Sequence, residues 1–378
     1  MSSRNPRKWE NLPKELWEEI LVKVPPSTIL DMMLVYKRVY SVVMQPKFVL
    51  QHYRGNRTSP RELIVKHSNN GLLFPSSTPY PFNDLDSVKK YPQFPILFKN
   101  YRAEVVGQNN GLILLHHYKN KDEKWSGSNR ITIWNCLTGK VAPIPNSELS
   151  KGIIGTKRVD VRVCYEYANN DYNIVVVAQD TKSKFVIEKF NYKDSRWSFQ
   201  SLFNLPRLRL GPMTCTNQRI CWVAGELHGD DDDRSEEFEY FVTCDMVGHK
   251  FTVKKLPQQT LSCSIVPVIF ENTICVLTIN DILLNENPSI DVWDFDEKLQ
   301  KWIRLIKHNY FHPQLFVSVF GNLKTATYVA QDNKVVFYLE NGKILSFLID
   351  ENRVKTYGDQ VIFVDTTYVE SLLFPRRP

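Results

Sequence analysis

Between Leu12 and Gln45 the apolar residues recur at helical spacing. Leu16 and Ile20 stand four apart and so share a face of a helix opened by Pro13, which suits a first helical position because its missing N–H has no intrahelical partner to lose. Leu12 precedes it as a staple-like contact, and Glu15, Glu18 and Glu19 fall near the N-terminus, where negative charge favours the helix dipole. Leu21 and Val24 extend the apolar run until Pro25 forces Val24 out of the helical region. Ser27 is expected to cap a second helix from about Thr28. In it Leu30, Leu34, Val35, Val39, Val42 and Val43 continue a wide stripe to Gln45, and Pro46 stops it. So small a unit cannot bury all these side chains by itself. It reads as a docking module that covers its surplus with another protein, the alternative being a helical hairpin packed on the rest of the chain.

Further along, the pattern shortens to strands. Five times an apolar or aromatic segment runs into an Asn or Asp at a turn: Asn135, Asn191, Asp245, Asp296 and Asp350. An apolar residue follows six positions later in four of them, namely Val141, Trp197, Phe251 and Trp302, whereas Thr356 holds that place in the fifth. Successive turn residues are 56, 54, 51 and 54 apart, a period that suits the blades of a β-propeller. Strand material precedes each turn, as at Ile131, Ile133 and Trp134, and a second β-rich run lies upstream, as at Gly111–Leu115, Ile174–Ala178, Ile220–Ala224, Ile274–Ile279 and Val335–Leu339. Each Asn or Asp is expected in the hairpin between the two outer strands of a blade, with the residue six later packing between blades. The length after residue 54 accommodates about six such units, of which five are visible; the sixth is expected near Arg61–Lys99, with strands at Leu63–Val65 and Ile96–Phe98. The fold class is a small all-α N-terminal module of three helices followed by an all-β propeller.

Composition narrows the classes. Hydrophobic residues make up 43% of the chain and aromatics 12%, which argues for a folded protein. The uncharged stretch Leu256–Phe270 is too short and too polar to cross a bilayer, and no membrane association is expected. Arg4, Arg7 and Lys8 lead into no hydrophobic secretory region, and Cys136, Cys164, Cys215, Cys221, Cys244, Cys263 and Cys275 show no paired spacing; reduced thiols in the cytoplasm or nucleus are the expectation. Net charge is +7, of which +4 falls in residues 1–54. Arg207 with Arg209 and Arg376 with Arg377 are too sparse for a nucleic-acid face.

Catalytic signatures are missing: the chain has no HExxH, G-x-S-x-G, Walker loop or G-x-G-x-x-G. His116 and His117 are adjacent, so in a strand they point to opposite faces and do not jointly hold a metal. The acidic run Asp230–Asp233 with Glu236, Glu237 and Glu239 reads as a solvated loop, and Trp125 beside Lys121, Lys124 and Arg130 as a partner anchor or a loop tether. No catalytic, cofactor or metal residue is assigned.

Leu12-Pro13, Glu15-Leu16, Glu19-Ile20-Leu21, Val24-Pro25, Leu30, Val35, Lys37, Ser41, Pro46, Phe48 and His52 together resemble the F-box. Members of that family usually carry Cys at the position of Tyr36 and Trp at that of Val39. Asn109-Asn110-Gly111-Leu112 and Ile133-Trp134-Asn135-Cys136-Leu137-Thr138-Gly139-Lys140 resemble the F-box-associated region of plant F-box proteins, whose nearest neighbours are S-locus and kelch-like receptors. The resemblance implies an F-box at 9–53, a linker at 54–60 and a substrate-binding propeller at 61–378. It implies a non-enzymatic substrate receptor that docks a Skp adaptor, and through it a cullin ubiquitin ligase, with Leu12, Pro13, Leu16, Ile20, Leu21, Val24, Pro25, Leu30 and Val35, while the propeller holds an unidentified protein. An assembly or sequestering factor, and a propeller enzyme, are the competing classes. A strongly basic target would call for an acidic propeller, which this charge balance does not supply.

Overall fold

The computed structural model describes residues 12–56, 61–67, 73–79, 89–90, 92–94, 101–109, 111–118, 130–147, 156–166, 171–180, 184–191, 195–204, 208–215, 219–226, 238–245, 250–257, 264–270, 273–279, 289–309, 323–329, 334–339, 343–351, 353–357, 361–368 and 370–372.

Four short helices open the chain: α1 (Lys14–Leu21), α2 (Pro26–Val35), α3 (Lys37–Val43) and α4 (Pro46–Asn56). Three were expected, and the differences come from proline and from one extended residue. Pro13 and Pro25 are N-caps rather than helical residues, with ψ of 152° and 142°. Pro26 takes the first helical place of α2, so Ser27 is not the cap. Tyr36, at φ −118° and ψ 107°, breaks the expected long second helix into α2 and α3. Pro46 does not end a helix but begins one, as its preset φ allows. The same helix α4 runs through residues 54–56 of the expected linker; residues 57–60 lie outside the described ones.

An all-β domain follows as antiparallel sheets of four strands. Five are built from consecutive strands. They are β4 (Arg102–Asn109), β5 (Leu112–Tyr118), β6 (Arg130–Asn135) and β7 (Lys140–Ile144); β8 (Thr156–Glu166), β9 (Asp171–Asp180), β10 (Lys184–Asn191) and β11 (Arg196–Asn204); β12 (Leu208–Cys215), β13 (Arg219–Glu226), β14 (Tyr240–Asp245) and β15 (Phe251–Lys255); β16 (Ser264–Phe270), β17 (Thr273–Ile279), β18 (Ser289–Asp296) and β19 (Lys301–Asn309); and β20 (Leu323–Val329), β21 (Lys334–Leu339), β22 (Ile344–Leu348) and β23 (Arg353–Thr356). A further sheet is composite: β1 (Arg61–His67), β2 (Leu73–Pro79) and the two-residue β3 (Lys89–Lys90) are completed by the last strand, β24 (Val361–Tyr368). There β1 pairs with β24, Arg61 facing Tyr368 and Ile64 facing Val364, so the end of the domain closes onto its beginning. Leu63–Val65 is a strand as expected; Ile96–Phe98 lies outside the described residues.

The repeat explains the sheets. Asn135, Asn191, Asp245 and Asp296 each close the third strand of a sheet, and Asp350 follows the third strand of the fifth consecutive one. Asn135 Oδ1 accepts the N–H groups of Leu137 and Thr138 at 2.9 and 3.1 Å, and Asp296 Oδ1 accepts those of Lys298 and Leu299 at 2.8 and 3.0 Å. A short side chain that satisfies two turn amides is what an Asx turn asks for. Four residues after three of these turn residues, Gly139, Ser195 and Gln300 have φ of 67°, 50° and 51°, the left-handed step that swings the chain into the outer strand. The residue six later reaches the neighbouring sheet: Trp197 Nε1 donates to the Pro145 carbonyl and Trp302 Nε1 to the Lys255 carbonyl, both at 2.7 Å.

Core packing lies between successive sheets. One cluster joins β9 and β10 to β13 and β14 through Val175, Val177, Ile187, Trp222 and Val242, and another joins β17 and β18 to β21 and β22. Gly211 of β12 is required by closeness alone, since a Cβ there would stand 2.6 Å from both the Phe238 ring and the Val223 carbonyl oxygen. His116 and His117 are both buried in this interior. His117 Nε2 lies 2.8 Å from Thr132 Oγ1, its ring stacks on Phe94, and burial holds its pKa down at about 4, with neighbouring His116 adding to the effect.

Candidate docking face

The helices fold around an inner stripe. Trp17 and Leu21 of α1, Ile29 of α2, Val39, Val42 and Val43 of α3 and Phe48 and Val49 of α4 are buried in one cluster that continues into Leu63, Val65, Ile113, Leu115, Trp134 and Leu372 of the β domain. Two side-chain clips fix the arrangement. Arg38 Nη1 donates to the Leu12 carbonyl at 3.0 Å, which ties α3 to the start of α1. His52 Nε2–H donates to the Val24 carbonyl at 2.7 Å, tying α4 to the α1–α2 connection. Burial lowers the pKa of His52; the Val24 bond and the nearby Glu370 carboxylate oppose that shift in part.

An outer stripe faces away from this core. On α1, Leu16 and Ile20 are 42% and 41% exposed, one position out of step with Trp17 and Leu21. At the end of α2, Leu34 and Val35 are 87% and 69% exposed, held there because Tyr36 leaves the helix as soon as its N–H has reached the Met32 carbonyl. On α3, Tyr40 and Met44 repeat the spacing of four and are exposed as well, with Lys37 and Arg38 beside them.

Of the residues expected on that face, Pro13, Leu16, Ile20, Pro25 and Val35 are exposed, and Leu12, Val24 and Leu30 are half-buried. Leu21 is a correction: it is fully buried, four residues after Trp17 on the inner stripe, and holds α1 to the core instead of meeting a partner. Leu34, Tyr40 and Met44 are exposed as well, although they are not among the residues expected there. Their spacing was visible in the sequence; which side of a short helix turns outward was not. Val39 is buried, so its departure from the usual Trp changes the interior of the helices.

Among the described residues no group of three His, Cys, Asp or Glu side chains could hold a metal ion, and no helix is long and apolar enough to cross a membrane. Cys136, Cys221, Cys244 and Cys275 are buried free thiols. Burial, aided by Asp245, raises the Cys244 pKa to about 12, which makes it a poor nucleophile. Lys121, Lys124, Trp125, Arg207, Asp230–Asp233, Glu236, Glu237, Arg376 and Arg377 lie outside the described residues; Glu239 lies 3.9 Å from Lys255.

The chain is a short helical N-terminal module followed by an all-β propeller domain. Residues 9–51 match the family model described as F-box domain. No curated protein matches the chain. Solved structures that resemble it include a nidogen/laminin complex (8% identity, 79% of this chain and 92% of that chain, TM-score 0.44). An Aleuria aurantia lectin mutant in complex with Fucα1-6GlcNAc also resembles it (11%, 81% and 96%, 0.43), as does the tricorn protease (11%, 82% and 35%, 0.37). Overlap at this level says nothing of what this chain binds. F-box domains typically bind Skp adaptors within cullin ligases, and an F-box joined to a propeller is consistent with a ubiquitin-ligase substrate receptor.

Proposed function

We propose that the chain is the substrate-recognition subunit of a Skp/cullin/F-box ubiquitin ligase, non-catalytic itself and working in the cytoplasm or nucleus. Residues 9–53 dock the adaptor, the part from 61 onward captures a target protein, and 54–60 joins them. The observation that carries this reading is the exposed apolar stripe of Leu16, Ile20, Leu34 and Val35 on helices whose own core is already closed. Pro13, Pro25, Leu12, Val24 and Leu30 frame the stripe, and Tyr40 and Met44 extend it. The contribution to ubiquitin transfer is then proximity: a held target presents its lysines to the ubiquitin carrier at high effective concentration.

The test is binding of a purified Skp-type adaptor by calorimetry. A double change of Leu34→Glu and Val35→Glu abolishes binding, because two charges would have to be buried in an apolar contact. Leu12→Ala with Pro13→Ala weakens it. Wild-type affinity in the Leu34/Val35 variant, with the helices folded, would sink the assignment. Reconstituted ubiquitination of a captured target separates a receptor from a sequestering factor, which binds the adaptor and its target but transfers nothing.

A further inference from the structure

We propose that the three residues after β24, Glu370, Ser371 and Leu372, form a clasp that fixes the docking helices in one orientation on the β domain. The chain passes from α4 to β1 once, between Asn56 and Arg61. Two folded parts joined at a single point move against each other unless their shared surface is large and apolar, and a second attachment removes that freedom. Here the second attachment comes from the far end of the β domain. The ladder of β24 with β1 ends at Tyr368, so the segment adds no pair to that sheet. Chain ends with nothing to hold are ordinarily exposed. These three residues are all buried.

Each residue of the segment is anchored in its own way. Leu372 belongs to the cluster that holds Leu21, Phe48 and Val49 of the helices together with Leu63, Ile113 and Trp134 of the β domain. Ser371 offers its carbonyl to Asn135 Nδ2 at 2.8 Å, which fixes it to the turn between β6 and β7. Glu370 serves the helices: its carboxylate is near enough to His52 of α4 to oppose the lowering of that imidazole's pKa by burial. His52 in turn holds the Val24 carbonyl at 2.7 Å. A line of contacts therefore runs from the α1–α2 connection to the sheet of β4–β7, through Val24, His52, Glu370, Ser371 and Asn135. Orientation is the property this line secures. What it does for a target rests on the adaptor reading, under which a fixed orientation sets one distance between the held protein and the ligase.

The experiment measures energy transfer between a donor and an acceptor dye on the full chain, one at Asp31 of α2 and one at Lys301 of β19, both exposed, with no partner present. The wild type gives one narrow distance distribution. Leu372→Asp sets a charge in the shared cluster, and the distribution widens by about twofold or more. Leu372→Ala removes apolar contact without adding a charge and widens it less; it carries the test should the Asp variant fail to fold by circular dichroism. Trp222→Ala weakens a cluster that does not contain the segment and leaves the width unchanged. A wild-type width in Leu372→Ala, equal widening in Trp222→Ala, or a broad distribution in the wild type itself would each overturn the proposal. No adaptor enters the measurement, so failure here leaves the docking face standing, and failure of adaptor binding leaves the clasp standing.

Discussion

The helices and the β domain treat their apolar residues in opposite ways. Of the eleven large apolar side chains exposed among the described residues, six lie on α1–α3 or at the C-cap of α3: Leu16, Ile20, Leu34, Val35, Tyr40 and Met44. The far longer β domain leaves five, three of them on β19 and its turn. A sheet buries both faces against the sheets before and after it, as the clusters between successive sheets show. Three short helices over a single core have no second neighbour, so their outer stripe stays wet until something covers it. Under the proposed function, surface in the first region is spare for binding, whereas interior in the second is committed to stability.

That contrast is broken most sharply by a pair of variants read for both properties. Trp222→Ala, which empties a fully buried site in the β domain, costs about 3–5 kcal/mol of stability. Leu34→Glu with Val35→Glu, at strongly exposed sites, shifts stability by no more than about 0.5 kcal/mol per site while removing adaptor binding. Denaturant midpoints together with adaptor titrations measure both. A Leu34/Val35 variant that loses several kcal/mol would mean that these side chains already serve the fold.

Much of this division can be read in the sequence. Helical spacing marked the N-terminal module, and the recurrence of Asn135, Asn191, Asp245, Asp296 and Asp350 marked the outer hairpins, because turn chemistry is local and repeats with the structure. Trp197 and Trp302 reach the neighbouring sheet as their place in the repeat implied. What escaped depends on distant partners. β24 joins β1 across nearly the whole domain, and no local pattern in Val361–Tyr368 announces it. The innermost strands, such as Thr156–Glu166, mix Lys, Arg and Asp with valines and lack the continuous apolar runs of the second strands, so they passed unread. Leu21 was placed on the docking face because an apolar stripe on a short helix does not tell inside from outside.

Acid sharpens the comparison from the β side. His117 is neutral in the folded state, its pKa lowered to about 4, whereas an unfolded imidazole titrates near 6.5. Below about pH 6.5 the unfolded chain takes up a proton that the native chain refuses. The stability tied to this group is present above pH 6.5 and lost as pH falls toward 4, by about 3 kcal/mol in all. His52, lowered in the same direction, adds to the loss from the helical side. Denaturant midpoints measured between pH 7 and pH 4 fall, and the slope flattens in a His117→Gln variant. An unchanged slope there would show that His117 accepts its proton without resistance.

The smallest effects separate two residues that the repeat makes equivalent. Asn135 and Asp296 build the same turn, each accepting two backbone N–H groups, yet their surroundings differ. The Asp296 turn is exposed, its amides can be rehydrated, and Asp296→Ala costs about 0.5–1 kcal/mol. Asn135 is fully buried, and its Nδ2 also donates to the Ser371 carbonyl at 2.8 Å, which pins the segment after β24 to the sheet of β4–β7. Asn135→Ala strands two turn amides and that carbonyl away from solvent, a loss of about 1–3 kcal/mol. Asn135→Asp keeps the acceptor and removes the donor, leaving a carboxylate facing a carbonyl, and so isolates the tether from the turn. Thermal unfolding of the three variants orders them Asp296→Ala, then Asn135→Ala and Asn135→Asp together. If Asn135→Asp instead matched the wild type, the bond to Ser371 would contribute nothing, and the two positions would be interchangeable copies of one turn.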